Sequence, residues 1–161
     1  MPGHLDNHVD LSELPIDADV TGELHMINDQ QSARPPCMWQ FVVASEDNDD
    51  WGRGPVTWLD AGIAGTGGVL RWVELGHTFI PASGAERLLH DDDWLPYLDW
   101  SGTPCSVRGA AEVPIEQVFA AVAEVDATHH RPTCVDWIEV DRRRYRIVGP
   151  RVEFVDVKPE A

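Results

Sequence analysis

Apolar residues recur at helical spacing in one clear segment of the chain, Pro114 to Val125. Proline suits the first helical position, and Glu116 in the first turn favours the positive end of the helix dipole. The residues of the apolar stripe are Ile115, Val118, Phe119, Val122 and Val125. This pattern predicts a helix over 114–125 that packs on a sheet.

Strand signals lie on both sides of this helix. Segments rich in β-branched and aromatic residues, or with alternating polarity, cover 38–44, 56–59, 69–75, 77–80, 134–140 and 151–157. A short helix is predicted to begin at Thr21, and one or two helical turns are expected over 85–90. Four glycines within 61–68 predict a flexible connection. Because the connections are too short for parallel crossovers, we predict an α+β fold with a mainly antiparallel sheet of about five or six strands and one principal helix, about 114–125, on one face.

The length of 161 residues fits one domain with a hydrophobic core. Residues 1–20 carry two prolines and no sustained period, and they are predicted to be a flexible N-terminal arm. Residues 21–161 are predicted to form a single α+β domain.

The composition narrows the class and the compartment. Hydrophobic residues make up 43% of the chain, yet the longest apolar run is the six residues 118–123, against the ~20 that a membrane helix needs. The first residues show neither the basic nor the apolar region of a secretory signal. Three widely spaced cysteines favour reduced thiols over a disulfide scaffold or a zinc site. We therefore expect a cytoplasmic protein that does not bind membranes.

The charge is strongly acidic and uneven. The formal net charge is −16, and residues 1–100 carry 18 acidic and four basic side chains, a net charge of −14. Such a surface repels phosphate backbones and anionic lipid headgroups, so direct nucleic-acid binding is disfavoured. Acidity by itself is typical of a surface that keeps a protein in solution, and the more specific interpretation is a basic protein partner attracted by this field.

Motifs for catalysis or for metal binding are weak in this sequence. His4 and His8 lack the glutamate of an HExxH motif, and no HxE or PCxxC pair of a zinc deaminase is present. The glycines of 65–68 precede a strand and not the helix that a phosphate loop requires. The run Asp91, Asp92, Asp93 could hold a magnesium ion, which leaves a small metal-dependent hydrolase as an alternative. We otherwise predict no catalytic residue, no metal and no cofactor.

Tryptophans beside carboxylates are the stronger candidate feature. Trp39, Trp72 and Trp137 lie on strand candidates and are predicted to be core residues. Two other tryptophans each follow an acidic cluster, and aromatic anchors ringed by carboxylates suit an interface with a basic partner. The alternative is that these tryptophans hold their loops against the core. The predicted contact residues are Glu46, Asp47, Asp49, Asp50 and Trp51 in one loop, and Asp91, Asp92, Asp93 and Trp94 in the other.

The C-terminal half carries a family resemblance. The segment Glu112-Val-Pro-Ile-Glu-Gln-Val118, then Arg131-Pro-Thr-Cys-Val-Asp-Trp137, resembles the signature of the first family of immunity proteins from bacterial polymorphic toxin systems. Gly67-Gly-Val-Leu-Arg-Trp72 is similar to the strand that precedes it in that family. The resemblance covers roughly residues 38–140. It departs before Arg131, where the family commonly has Gly-Glu and this chain has two histidines.

The resemblance implies a cytoplasmic antitoxin that binds a cognate toxin domain and blocks its active site or substrate groove. Members of the family are often paired with nucleic-acid deaminase toxins, including those that act on cytosine in DNA. The alternatives are the metal-dependent hydrolase and a generic acidic interaction module. A toxin gene immediately upstream would discriminate among them.

Overall fold

The structure is a computed structural model that describes residues 7–30, 36–48, 52–89, 93–99, 101–140, 145–148 and 151–154. These ranges contain the helices α1 (Val20–Gln30) and α2 (Ile115–Thr128). The strands are β1 (His8–Asp10), β2 (Cys37–Asn48), β3 (Gly52–Ala64), β4 (Gly67–Glu74), β5 (His77–Pro81), β6 (Trp94–Leu98), β7 (Pro104–Arg108), β8 (Glu112–Pro114), β9 (Trp137–Val140), β10 (Tyr145–Val148) and β11 (Arg151–Phe154). Short 3₁₀ helices cover Leu11–Glu13, Ala82–Leu89 and Gly109–Ala111.

Within the described residues, nine strands form one sheet and β10 pairs with β11 separately. The sheet follows the order β7-β6-β2-β3-β4-β5-β9, with β1 beside β2 and β8 beside β4. Most neighbours are antiparallel, but β1 and β6 each run parallel to β2, so the sheet is mixed. The α+β class is confirmed, whereas the predicted count of five or six strands is too low.

Two of the strands that sequence patterns missed, β6 and β7, are short and contain proline. Their prolines are Pro96 and Pro104, and proline lacks the N–H that a strand ladder uses. Among the described residues, β6 pairs with β2 through Leu98, which lies opposite Cys37. No local pattern reports a pairing between residues about 60 positions apart.

Residues 8–13, expected to lie in a flexible arm, are part of the packed structure. β1 pairs with residues 40–42 of β2, and the Asn7 side-chain amide donates a hydrogen bond to the Met38 carbonyl at 2.8 Å. Val9 and Leu11 are buried in the main core. Backbone pairing and the burial of two apolar side chains hold this segment against β2.

The predicted helix is confirmed as α2, and all five residues of its apolar stripe are buried. It packs on one face of the sheet, together with Leu24 of α1, and the His25 ring of α1 stacks on Phe119 with centroids 3.7 Å apart. The sheet supplies Trp39, Phe41, Leu59, Ile63, Leu70 and Trp72 to this core. Burial of Trp39 and Trp72 agrees with their predicted core position, and Trp137 is partly buried against the same core.

A second core covers part of the opposite face. Its buried residues are Met38, Val69, Ile80, Tyr97, Val107, Ala110, Ala111 and Val140. Strands β6 and β7 curl over this face, and burial raises the pKa of Tyr97 to about 12. The sheet is therefore packed on both sides and rigid at its centre.

The glycine-rich segment 61–68 is not the flexible connection that was expected. It forms the end of β3, a turn at Gly65-Thr66 and the start of β4. A β-carbon at Gly68 would lie 2.7 Å from the Val118 γ-methyl of α2 and closer still to the Gly62 carbonyl oxygen. Glycine here serves the close approach of helix and strands, not chain flexibility.

The chain after α2 also differs from the expectation. A strand was predicted over 134–140, but β9 begins only at Trp137. Cys134, the first residue of that predicted strand, is exposed. The last predicted strand, 151–157, is present as β11 over Arg151–Phe154, and the remainder lies outside the described residues.

A matched pair of glycine substitutions tests the contact between α2 and the sheet. Gly68→Ala should lower the free energy of unfolding by about 1–3 kcal/mol, because the new methyl group overlaps Val118 and the Gly62 carbonyl. Gly67→Ala should change it little, since the nearest atom to its β-carbon is 3.6 Å away. Urea denaturation measures both. Equal effects of the two changes would contradict this packing.

Candidate functional site

The described part of the first predicted contact cluster lies on a projecting two-stranded ribbon. The backbones of Glu46 and Asp47 belong to β2 and lie opposite Gly54 and Arg53 of β3, while Asp49, Asp50 and Trp51 lie outside the described residues. On the other side of β3, β4 ends at Glu74, opposite Thr57. Beyond that level the described part of the sheet is a two-stranded ribbon. We call residues 45–55 the acidic hairpin.

The second predicted cluster is tied into the fold where the structure describes it. Asp91 and Asp92 lie outside the described residues. Asp93 accepts two hydrogen bonds from the Arg87 guanidinium, at 2.6 and 2.9 Å, and Glu112 accepts a third from Arg87 at 3.1 Å. The hydrogen bonds to Asp93 raise the pKa of Arg87 above its ordinary value. Burial acts in the opposite direction, and the hydrogen bond to Glu112 adds to the increase. The carboxylate of Asp93 therefore already has a cationic partner in the chain, which weakens its candidacy as a metal ligand in a hydrolase.

Trp94 begins β6 and is half-buried at the same corner. The Arg108 guanidinium lies over its ring, 5.4 Å from the centroid, and the two residues are cross-strand neighbours. Arg108 also donates to the Leu88 carbonyl at 3.3 Å, and the Gly109 N–H donates to the Asp93 carbonyl at 2.8 Å. These contacts join β6, β7 and the Ala82–Leu89 helix, and they hold the indole in one orientation.

The two predicted clusters lie at opposite ends of β2. The acidic hairpin follows the end of β2, whereas β6 runs parallel to β2 and meets only its first residue, Cys37, through Leu98. Asp93 is linked through Arg87 to Glu112, which lies opposite Val69 of β4, so Asp93 and Trp94 lie at the end of the sheet where β2 begins. From Cys37 to Glu46 alone the strand extends roughly 30 Å at about 3.3 Å per residue.

A polar row crosses the centre of the second face, buried at Gln40 and Asp60 and partly exposed at Arg71, and sequence patterns missed it. Asp60 of β3 is 4% exposed and accepts hydrogen bonds from Arg71 at 2.8 Å and from the Trp58 indole at 3.1 Å. Gln40, Asp60 and Arg71 occupy paired positions on β2, β3 and β4. The signal available in the sequence was a single charge in each of two adjacent strands, which cannot be paired until the register is known.

The signature loop after α2 is held by specific hydrogen bonds. Glu124 of α2 accepts bonds from the Thr133 N–H and, at 2.8 Å, from the Thr133 hydroxyl. The Trp137 indole donates to the Pro132 carbonyl at 2.8 Å. These contacts give the signature positions a role in the fold.

A groove of about 470 Å³ lies beside this loop. Its lining residues are Glu74, His130, Arg131, Pro132, Thr133, Val135, Asp136 and Trp137. The Arg131 guanidinium lies 4.6 Å from the centroid of the Phe79 ring and covers part of β5. The groove is shallow, so it suits a protruding protein side chain better than an enclosed small molecule.

Among the described residues, no group of three or more His, Cys, Asp or Glu side chains is arranged to hold a metal ion. No helix in that part of the chain has the length and apolarity to cross a bilayer.

The Arg87 ion pairs give a testable account of the corner at Trp94. Arg87→Lys should lower the free energy of unfolding by about 1 kcal/mol, because an ammonium group cannot replace the two-pronged contact with Asp93. Glu86→Gln, an exposed change on the same 3₁₀ helix, is the control and should stay within about 0.5 kcal/mol of the parent. Thermal and urea unfolding measure the stability of both variants. An Arg87→Lys protein as stable as the parent would show that the contact does not stabilise the fold.

Comparison with known proteins gives one family. A family model described as Immunity protein Imm1 matches residues 13–139, a range that begins before α1 and ends within β9. No curated protein matches the chain. The match includes the helix, the signature loop and the strands on which the sequence resemblance depends, and it covers well over half of the 161 residues. The chain therefore belongs to the Imm1 family of immunity proteins.

Proposed function

We propose that this immunity protein binds a toxin domain that acts on nucleic acid, a deaminase of cytosine in DNA, and covers its substrate groove or active site. Membership of the Imm1 family indicates a cognate toxin. The observation that favours a nucleic-acid-acting toxin is the net charge of −16, of which −14 belongs to residues 1–100. The resemblance to a family often paired with deaminase toxins favours the reaction.

Electrostatics provides the mechanism of inhibition. A protein that acts on nucleic acid carries a basic groove for phosphates. An acidic protein competes for that groove, and its field increases the rate of encounter. In this proposal the chain works in the cytoplasm by stoichiometric binding, needs no cofactor, and binds neither nucleic acid nor membranes itself.

The acidic hairpin is the first proposed contact. Its ribbon extends past the end of β4, so its side chains can enter a groove without disturbing either core. In the proposed complex Glu46, Asp47, Asp49 and Asp50 pair with arginine or lysine, and Trp51 anchors the contact.

The segment from Asp91 to Trp94 is the second proposed contact. A standard interface buries about 800 Å² on each partner, a patch roughly 30 Å across. Because the two clusters lie at opposite ends of β2, a partner that touches both must reach along the whole strand. Separate variants of the two ends therefore show which one the toxin uses.

The function is tested with the toxin domain encoded beside this gene. Purified protein should inhibit deamination of a cytosine-containing DNA at a 1:1 molar ratio, and coexpression should protect cells from the toxin. Chelator treatment of the immunity protein alone, followed by removal of the chelator, should leave inhibition unchanged. If the protein binds a toxin that has no deaminase activity, the antitoxin function is retained and the proposed deaminase reaction is rejected. No binding and no protection would reject the proposal.

Neutralising the acidic hairpin tests the first contact. The variant Glu46→Gln, Asp47→Asn, Asp49→Asn, Asp50→Asn should reduce the association rate about tenfold at low salt and flatten its salt dependence, because charges at the rim act on encounter. Stopped-flow binding at two salt concentrations measures this.

The control for net charge removes two exposed carboxylates far from the hairpin. The end of α1 and the start of α2 both lie at the opposite end of β3, since Asn28 and Gly65 exchange two hydrogen bonds, at 2.9 and 3.1 Å, and the Ile115 N–H donates to the Thr66 carbonyl. Neutralising Asp29 and Glu116 should lower the association rate clearly less, per charge removed, than the hairpin variant does. Equal losses per charge would show that only total charge matters.

Trp94 tests the second contact. Trp94→Ala should raise the Kd about 30-fold, mainly through faster dissociation, if the toxin buries this indole. Trp94→Phe retains an aromatic face beneath Arg108 and should lose less. Urea unfolding of both variants separates lost binding from lost stability. An unchanged Kd in both would assign the interface to the hairpin end.

A further inference from the structure

The turn between β4 and β5 contains a leucine where folding favours another residue. Leu75 and Gly76 have φ angles of 48° and 86°, and positive φ at both central residues defines a type I′ turn. Asn-Gly and Asp-Gly are preferred there, since a branched aliphatic side chain is disfavoured in the left-handed region. Sequence patterns placed Leu75 at the end of a strand, but β4 ends at Glu74.

Packing does not explain this leucine. The residue is 72% exposed. Among the described residues the other non-glycine with positive φ is His129, which ends α2 and donates its N–H to the Val125 carbonyl at 2.8 Å. Gly65 and Gly102 occupy the remaining positive-φ positions apart from Gly76. An exposed leucine in a strained position has no role in the fold, and local conflicts of this kind concentrate at functional sites.

The surroundings of Leu75 suit a protein contact. Glu74, the residue before it, lines the groove beside the signature loop. The Nδ1 atom of His77, two residues after Leu75, lies 2.5 Å from the Oε1 atom of Glu139 on β9. The turn therefore stands at the end of a groove whose opposite wall includes Asp136 and the half-buried Trp137.

The same turn lies at the base of the acidic hairpin. The Leu75 N–H donates to the Val56 carbonyl at 2.9 Å, and Glu74 lies opposite Thr57. From Pro55 back to Gly52, β3 pairs only with β2 among the described strands. A partner that pairs with the hairpin carboxylates would reach this exposed leucine on the same end of the sheet.

We propose that Leu75 is an apolar anchor for the toxin, entering an apolar pocket that borders the basic residues opposite the acidic hairpin. This inference rests on the proposed function and deepens it by locating the interface. Charge decides the occupant: a second copy of the chain, also at −16, would bring like charges together, whereas a basic toxin complements Glu74, Asp136 and the hairpin. Central apolar anchors with a charged rim carry most of the binding energy in such interfaces.

Leu75→Asn separates binding from folding, because asparagine suits the turn and lacks the apolar side chain. Its melting temperature should equal or exceed that of the parent, while its Kd for the toxin domain encoded beside this gene should rise about 30-fold. Leu75→Met keeps an apolar side chain and should bind within about threefold of the parent. Ile16→Asn, a change at a fully exposed apolar residue on another turn, is the matched control and should leave the Kd unchanged.

The outcomes distinguish this inference from the proposed function. Tight binding by both the parent and Leu75→Asn would overturn the anchor and leave the antitoxin function intact. Equal losses of toxin affinity in Leu75→Asn and Ile16→Asn would also overturn the anchor, because the effect would then not be specific to Leu75. A parent protein that dimerises in sedimentation, with Leu75→Asn monomeric and still inhibitory, would assign the leucine to a second copy. Failure of the parent to bind or protect would remove the proposed function and this inference together.

Discussion

The close contact between α2 and the β3–β4 hairpin determines the arrangement of the rest of the protein. Gly68 leaves space for the Val118 side chain, so the helix lies directly on the strand backbone, and on the other face of the sheet Gly62 leaves space for the Tyr97 ring. The position of α2 then fixes the loop that follows it, because Glu124 holds Thr133. That loop forms one wall of the groove, and β9 after it closes the sheet beside β5. One tight helix–strand contact thus sets both the core and the surface next to it.

Sequence patterns could predict α2 because a helical stripe is a property of one continuous segment. They could not interpret Gly62 and Gly68, since glycine is read locally as flexibility. The space at Gly68 is needed by a helix residue 50 positions away, and the space at Gly62 by Tyr97, which is 35 positions away. The parallel contact of Leu98 with Cys37 was equally hidden. Local periodicity therefore gave the fold class, while strand number and the mixed topology depend on pairings that no local pattern contains.

The candidate site divides in the same way. The order of residues in the sequence alone located the acidic clusters and the tryptophans that follow them. It could not show that Asp93 binds Arg87, because an ion pair six residues apart in an irregular segment has no spacing rule. Nor could it place the clusters at opposite ends of β2, or show that Leu75 is a turn residue. The sequence shows which chemical groups a surface carries, but their relative positions depend on the register of every strand.

Register also explains how Leu75 keeps a conformation that its side chain disfavours. Trp72 faces the main core, and Val73 is buried on the other side of β4, so a slip of one residue would exchange buried faces. The cost of that exchange is several kcal/mol, against about 1–2 kcal/mol for a strained turn residue. The turn between β4 and β5 must therefore be tight whichever residue occupies it. The two cores fix the register, the register fixes the turn, and the turn holds an apolar side chain in solvent at the base of the acidic hairpin.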